Sequence, residues 1–173
     1  MTRPAPVTII APAMSTQKLP QSVPVDRFCG GGRRASATLV AAQLPRLSAE
    51  VAEGDWSLAV SVQGESPGVA RFRVSGTVDG TLPLHCARCL GIMAWPLALR
   101  FSVMVVQGDE EEARWIAEHD TWRADDNCLA LCERIEDEVL LALPDLPHCD
   151  RADCLAVRRG SPQDGAPPGA DGD

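Results

Sequence analysis

A chain of 173 residues leaves room for one domain with terminal extensions, and its 45% hydrophobic and 23% charged residues exclude general disorder. The longest apolar runs fall well short of the roughly 20 residues that span a bilayer. The formal net charge of −8 argues against a protein that grips a phosphate backbone over a wide area, because such affinity comes from neutralising phosphates.

Residues 1–20 hold four prolines and little periodicity and read as a flexible N-terminal arm. Their apolar stretch, Val7 to Ile10, is shorter than the roughly 7–15 residues of a secretory h-region. Without export the cysteines are expected to be reduced thiols or metal ligands. The domain is expected over 21–157. Gly30, Gly31 and Gly32 mark a turn, without the Walker lysine or Rossmann spacing of a phosphate cradle. Ala35 to Leu44 follows as a short predicted helix, ended by Pro45.

Three period-two segments come next, each reading as a half-buried antiparallel strand. In 56–62, Trp56, Leu58, Val60 and Val62 alternate with Ser57, Ala59 and Ser61. In 71–85, Phe72, Val74 and Val78 alternate with Arg71, Arg73, Ser75, Thr77 and Asp79. In 97–106, Leu97, Leu99, Phe101, Val103 and Val105 alternate with Ala98, Arg100 and Ser102. The outer faces carry Arg71, Arg73 and Arg100, a candidate basic patch that Arg88 extends.

Asp109 to Glu112 reads as an acidic loop and 113–118 as a short helical turn. A long helix is predicted over 127–143: Asp125, Asp126 and Asn127 supply its cap, and Cys128, Cys132, Ile135, Val139 and Ala142 its apolar stripe. On that stripe Cys128 and Cys132 act as small core hydrophobes. Glu133, Glu136, Asp137 and Glu138 take the other side, and Pro144 stops the helix. Residues 158–173, rich in Gly, Pro and Asp, read as a disordered tail.

The sharpest local feature is Cys86-Ala87-Arg88-Cys89 between two strand-like stretches. A Cys-x2-Cys turn brings two sulfurs to one side, about 3.5–4 Å apart, as two corners of a zinc tetrahedron require. His148, Cys149 and Cys154 follow the long helix, and any two of them complete four ligands. Thiolates suit zinc better than magnesium or calcium. Two other readings stand beside zinc: a thiol redox site, which normally opens a helix, and a pair of reduced thiols that packs the turn. His85, His119 and His148 lack metalloprotease spacing, and there is no Gly-x-Ser-x-Gly elbow, so nothing points to an enzyme.

Two segments together, VDGTLPLHCARCLGIMAWPLALRFSV and RIEDEVLLALPDLPHCDRADC, resemble the YceD family of large ribosomal RNA subunit accumulation proteins over roughly residues 20–155. The resemblance matches Cys86, Arg88 and Cys89 to the family's Cys-x-Arg-Cys, Glu136, Asp137 and Glu138 to its acidic helix segment, and His148 and Cys154 to its terminal His/Cys cluster. It implies a bacterial cytoplasmic protein, without assigned enzymatic activity, that supports synthesis, processing or stability of 23S rRNA. The metal set expected from the residues is Cys86, Cys89, His148 and Cys154 for a possible zinc ion, with Cys149 as the alternative ligand, and the resemblance itself does not decide whether metal is bound. The expected partner is a ribosomal protein or a large-subunit assembly factor, with no membrane and no small-molecule substrate. The charge balance suits direct rRNA binding less well, although Arg71, Arg73, Arg88 and Arg100 could form a local RNA-facing patch, the alternative being a solvated outer face. Residues 107–173, with 18 acidic and 6 basic side chains, suit a basic protein partner, and residues 1–106, with 10 basic and 6 acidic, leave room for a local basic face. The alternatives are a zinc-stabilised protein-interaction module unrelated to rRNA and a Cys-x2-Cys redox protein. The expected architecture is α+β: an antiparallel sheet packed against one long and one short helix.

Overall fold

The structure, a computed structural model, describes residues 19–69 and 71–157. The arm expected over 1–20 falls, up to residue 18, outside the described residues, as does the tail expected over 158–173. Leu19, assigned to that arm, is buried in the main core. Pro20 and Gln21 are tied down as well, their carbonyls accepting from the Cys132 thiol and amide.

The elements run β1 (Val23–Pro24), α1 (Val25–Phe28), β2 (Arg34–Val40), a 3-10 turn (Ala41–Gln43), α2 (Pro45–Glu50), β3 (Ser57–Gly68), β4 (Arg71–His85) and β5 (Ile92–Val106). Then come α3 (Asp109–Trp115), β6 (Thr121–Arg123), β7 (Cys128–Leu129), α4 (Leu131–Ala142) and α5 (Ala152–Val157). The α+β class stands, with a five-stranded sheet in the order β2-β3-β4-β5-β6 and a small β1-β7 pair. The sheet is antiparallel except at its edge, where β6 runs parallel to β5.

The predicted alternation places side chains as read. Leu58, Val60 and Val62 of β3, Val74 and Val78 of β4, and Leu97, Val103 and Val105 of β5 are buried on one face. Against them pack Val25 and Phe28 of α1, Leu47 of α2, and Leu131, Ile135 and Val139 of α4, in one continuous core. The other face is exposed over most of its length, except at the end of β5, where Met104 and Val106 are buried near α3.

The helix expected over 35–44 is corrected. Residues 34–40 are β2, paired in register with β3 from Arg34↔Gln63 to Val40↔Ser57. Ala37 and Leu39 point in, while Ser36, Thr38 and Val40 point out. Small side chains fit helix or strand alike, and the free edge of β3 decides. Pro45 does not stop a helix but starts one, at the first position of α2, where its missing N–H costs nothing. The expected pair of one long and one short helix therefore becomes α4 with four shorter helices among the described residues.

The 127–143 helix is shortened as well. Asp126 and Asn127 have positive φ, 46° and 59°, in a turn that Asp125 and Cys128 close with paired backbone hydrogen bonds. Cys128 lies on β7 and is exposed, so it is not a core hydrophobe; Cys132, on α4, is half-buried. Asp109 to Glu112 is the first turn of α3 rather than a loop, its four carboxylates matching the positive helix end.

Candidate metal centre

The two longest strands meet at the site. β4 and β5 pair without a register shift from Phe72↔Val105 to His85↔Ile92, so the turn between them projects from the sheet end as a rigid tip. The Cys86 amide donates to the Gly91 carbonyl at 3.0 Å and the Leu90 amide to the Cys86 carbonyl at 2.9 Å. Leu90 closes the turn at φ 57°. After α4 ends, the chain folds back over this tip, where the Ala87 amide donates to the Pro147 carbonyl at 2.7 Å. Cys154 then sits in the first turn of α5.

The result is a cluster of Cys86, Cys89, Cys149 and Cys154 whose sulfurs all lie within 4.8 Å of one another. Cys86 and Cys154 are 3.7 Å apart, as are Cys89 and Cys149, and all four are free thiols. A zinc–sulfur bond of about 2.3 Å in a tetrahedron gives an edge of about 3.8 Å. The donor set and its spacing thus fit a thiophilic, tetrahedral divalent ion. His148 is exposed and outside the cluster, so the imidazole of the expected set gives way to the Cys149 thiol. In the segment 147–150, which has no regular secondary structure, Cys149 is buried while His148 and Asp150 on either side are exposed.

The electrostatics favour thiolates at two of the four. The Cys149 amide, donating at 3.4 Å, and the Cys89 and Arg88 amides bring the Cys86 thiol down to about 5. The Arg151 guanidinium holds Cys149 below the usual thiol range. Burial, by contrast, pushes Cys154 up to about 12. Arg151 was not legible in the sequence as part of the site. Its Nε donates to Cys149 Sγ at 3.4 Å and its Nη2 to Cys89 Sγ at 3.0 Å. Its place between two cysteines in HCDRADC was the available signal.

The four predicted arginines separate. Arg71, Arg73 and Arg100 share the open sheet face by alternation and register, with Arg100 opposite Thr77. Arg71 lies over the Trp115 ring at 5.0 Å. Arg88 is apart from them at the cysteine turn, half-buried, one guanidinium nitrogen enclosed without a hydrogen-bond partner. Arg34, unpredicted, joins the open face and lines a shallow hollow with Ser61, Gln63, Ser75, Thr77 and Arg100. The acidic block turns out to be internal wiring. Glu136 Oε1 accepts the Leu47 amide and Oε2 the Arg46 Nε, both at 3.0 Å. Asp137 takes Arg46 Nη1 at 2.6 Å, and Glu138 accepts the Trp122 indole N–H at 2.9 Å. Among the described residues no helix is long and apolar enough to cross a membrane.

Comparison with curated proteins and with solved structures finds no match. The family described as large ribosomal RNA subunit accumulation protein YceD matches residues 74–167, more than half of the chain and a span that takes in all four clustered cysteines, Arg151 and the Glu136–Glu138 block. On that match the chain belongs to the YceD family.

Proposed function

We propose that this protein is a non-enzymatic, cytoplasmic factor of large-subunit biogenesis that supports synthesis, processing or stability of 23S rRNA. The family match over residues 74–167 is the observation that carries this reading. The protein works by binding. Its acidic second half suits a ribosomal protein or an assembly factor, and the open sheet face with Arg34, Arg73 and Arg100 offers a restricted contact for rRNA. The four-cysteine cluster is a structural zinc site, supported by two sulfur pairs at 3.7 Å, close to a tetrahedral edge. The zinc orders the 145–157 segment on the tip of the sheet and takes no part in chemistry.

The test compares cells with and without the protein for the ratio of 23S to 16S rRNA, mature and precursor. Loss of 23S or accumulation of its precursors is the expected result. An unchanged ratio overturns the rRNA reading and leaves a zinc-stabilised interaction module. The lowered Cys86 thiol favours a second reading, thiol redox chemistry. Two features weigh against it. Cys86 is completely buried, out of reach of a substrate disulfide, and the motif lies in a strand–strand turn rather than at a helix N-terminus.

A further inference from the structure

We propose that Arg151 is a positioning residue for the metal centre: its guanidinium bridges one sulfur from each half of the site and offsets the negative charge of four thiolates. The proposal rests on the zinc reading above and deepens it. The two halves come from distant parts of the chain, Cys86 and Cys89 from the β4–β5 turn and Cys149 and Cys154 from the segment after α4. Arg151 is bonded to both, through Cys89 at 3.0 Å and Cys149 at 3.4 Å.

The seat for this guanidinium is built by a glycine. A Cβ on Gly91 would come too close to the Arg151 guanidinium where it lies across the turn, and this flexible side-chain end would have to shift to admit it. Three of the sulfurs are buried, and Cys89 is the half-buried one. Arg151 donates its shorter hydrogen bond to that sulfur and covers it.

A divalent ion inside four thiolates leaves a dianionic centre. A fixed cation that also donates two N–H groups to the sulfurs lowers this charge and draws electron density from the sulfur lone pairs. Groups of this kind, one shell outside the ligands, set metal affinity and ligand orientation. Lysine would keep the charge but not the fork that reaches two acceptors at once.

The experiment uses the full chain purified under reducing conditions, with zinc and cobalt(II) ions as probes, and compares wild type, R151M, R151K and G91A. Zinc affinity, read by competition with a chromophoric chelator, is expected to fall by about 10- to 100-fold in R151M. The sulfur-to-cobalt charge-transfer band should move to longer wavelength, because sulfur without its N–H donors ionises more easily. R151K should recover part of both effects. G91A, which keeps Arg151 but makes its guanidinium shift, should lie between wild type and R151M, and R151K, which keeps the charge without the fork, tests the idea if R151M fails to fold. Wild-type affinity and an unshifted band in R151M, or in R151K where R151M does not fold, would overturn the role of Arg151 while the zinc site stands. A wild-type protein that binds neither ion would overturn the zinc reading and this proposal with it.

Discussion

Glu136 is the side chain on which we expect the fold to depend most sharply among the charged residues. Among the described residues it is the one charged side chain in the buried set, with 4% of it exposed. Its neighbour α2 begins with Pro45 and has no side-chain cap of its own. Glu136 supplies that cap from α4, accepting the Leu47 amide at 3.0 Å while it holds Arg46 Nε at the same distance. In E136A the Leu47 amide is left buried without an acceptor, which costs about 1.5–3 kcal/mol for a bond to a charged group. The lost ion pair adds at most about 1 kcal/mol, because Arg46 is half exposed and keeps Asp137. The expected loss is therefore roughly 3 kcal/mol, against about 1 kcal/mol for E136Q, which retains the acceptor for Leu47. Urea unfolding followed by tryptophan fluorescence reads both as a lowered midpoint at constant slope. An E136A midpoint within about 0.5 kcal/mol of wild type, the range of ordinary surface changes, would refute the capping argument. So would an E136Q variant as damaged as E136A.

Other consequences follow from the same geometry. C86S and C154S should each lose bound zinc, measured by elemental analysis, and a strong chelator should lower the unfolding midpoint of the wild type but not of these variants. G76V should destabilise by about 1–3 kcal/mol in the same urea assay, because a side chain there meets the Phe101 ring and the Ser61 carbonyl across the core face of the sheet. Burial raises the Cys29 thiol from 9.0 to about 11, which favours the neutral form in the folded state. Its contribution to stability is complete below pH 9.0 and is lost as pH rises toward about 11, and a pH series of unfolding midpoints in C29A should lack that loss. E138A leaves the Trp122 indole N–H without its acceptor at 2.9 Å and should cost about 1 kcal/mol by the same measurement.

The strands were legible where one face of the sheet is open and the other buried, because the period of two then appears in side-chain type. Leu58, Val60 and Val62 against Ala59 and Ser61 is such a case. β2 escaped because its alternation is written in Ala, Ser and Thr, which a helix accepts as readily. The boundary of α4 escaped because Leu129 and Leu131 are both buried but belong to different elements, β7 and α4, so one apolar stripe spans a strand and a helix. At the site, the spacing of Cys86 and Cys89 was enough to find one half. The choice between His148 and Cys149 depends on which way an irregular segment faces as it docks on the turn, where the Ala87 amide donates to the Pro147 carbonyl, and no local pattern announces that docking. Arg151 and Gly91 meet only through the fold, and no local pattern in either stretch announces the contact. The acidic block was visible as a block, but its partners Arg46, Leu47 and Trp122 are scattered along the chain.

These placements also bear on what the proposed zinc would do. After Pro144 the chain has little apolar material with which to hold itself down: Leu146 is exposed, and among the described side chains Cys149 and Cys154 are the buried apolar ones. Their packing neighbours are Cys86, Cys89 and Met93, a satellite core separate from the main one. Thiols alone give such a cluster little burial energy, and the ordering of the segment costs conformational entropy at each residue. The zinc proposed for this cluster would supply what is missing, since binding energy at a site that exists only in the folded state is folding energy. The segment would then depend on metal while the five-stranded sheet does not, because the sheet's core is complete without a single residue of the cluster. Chelation should accordingly raise amide hydrogen exchange over 145–157 and at the β4–β5 turn, and leave β3 and the middle of β4 protected. Exchange that rises uniformly across the sheet would place the metal at the centre of the fold instead of at its tip.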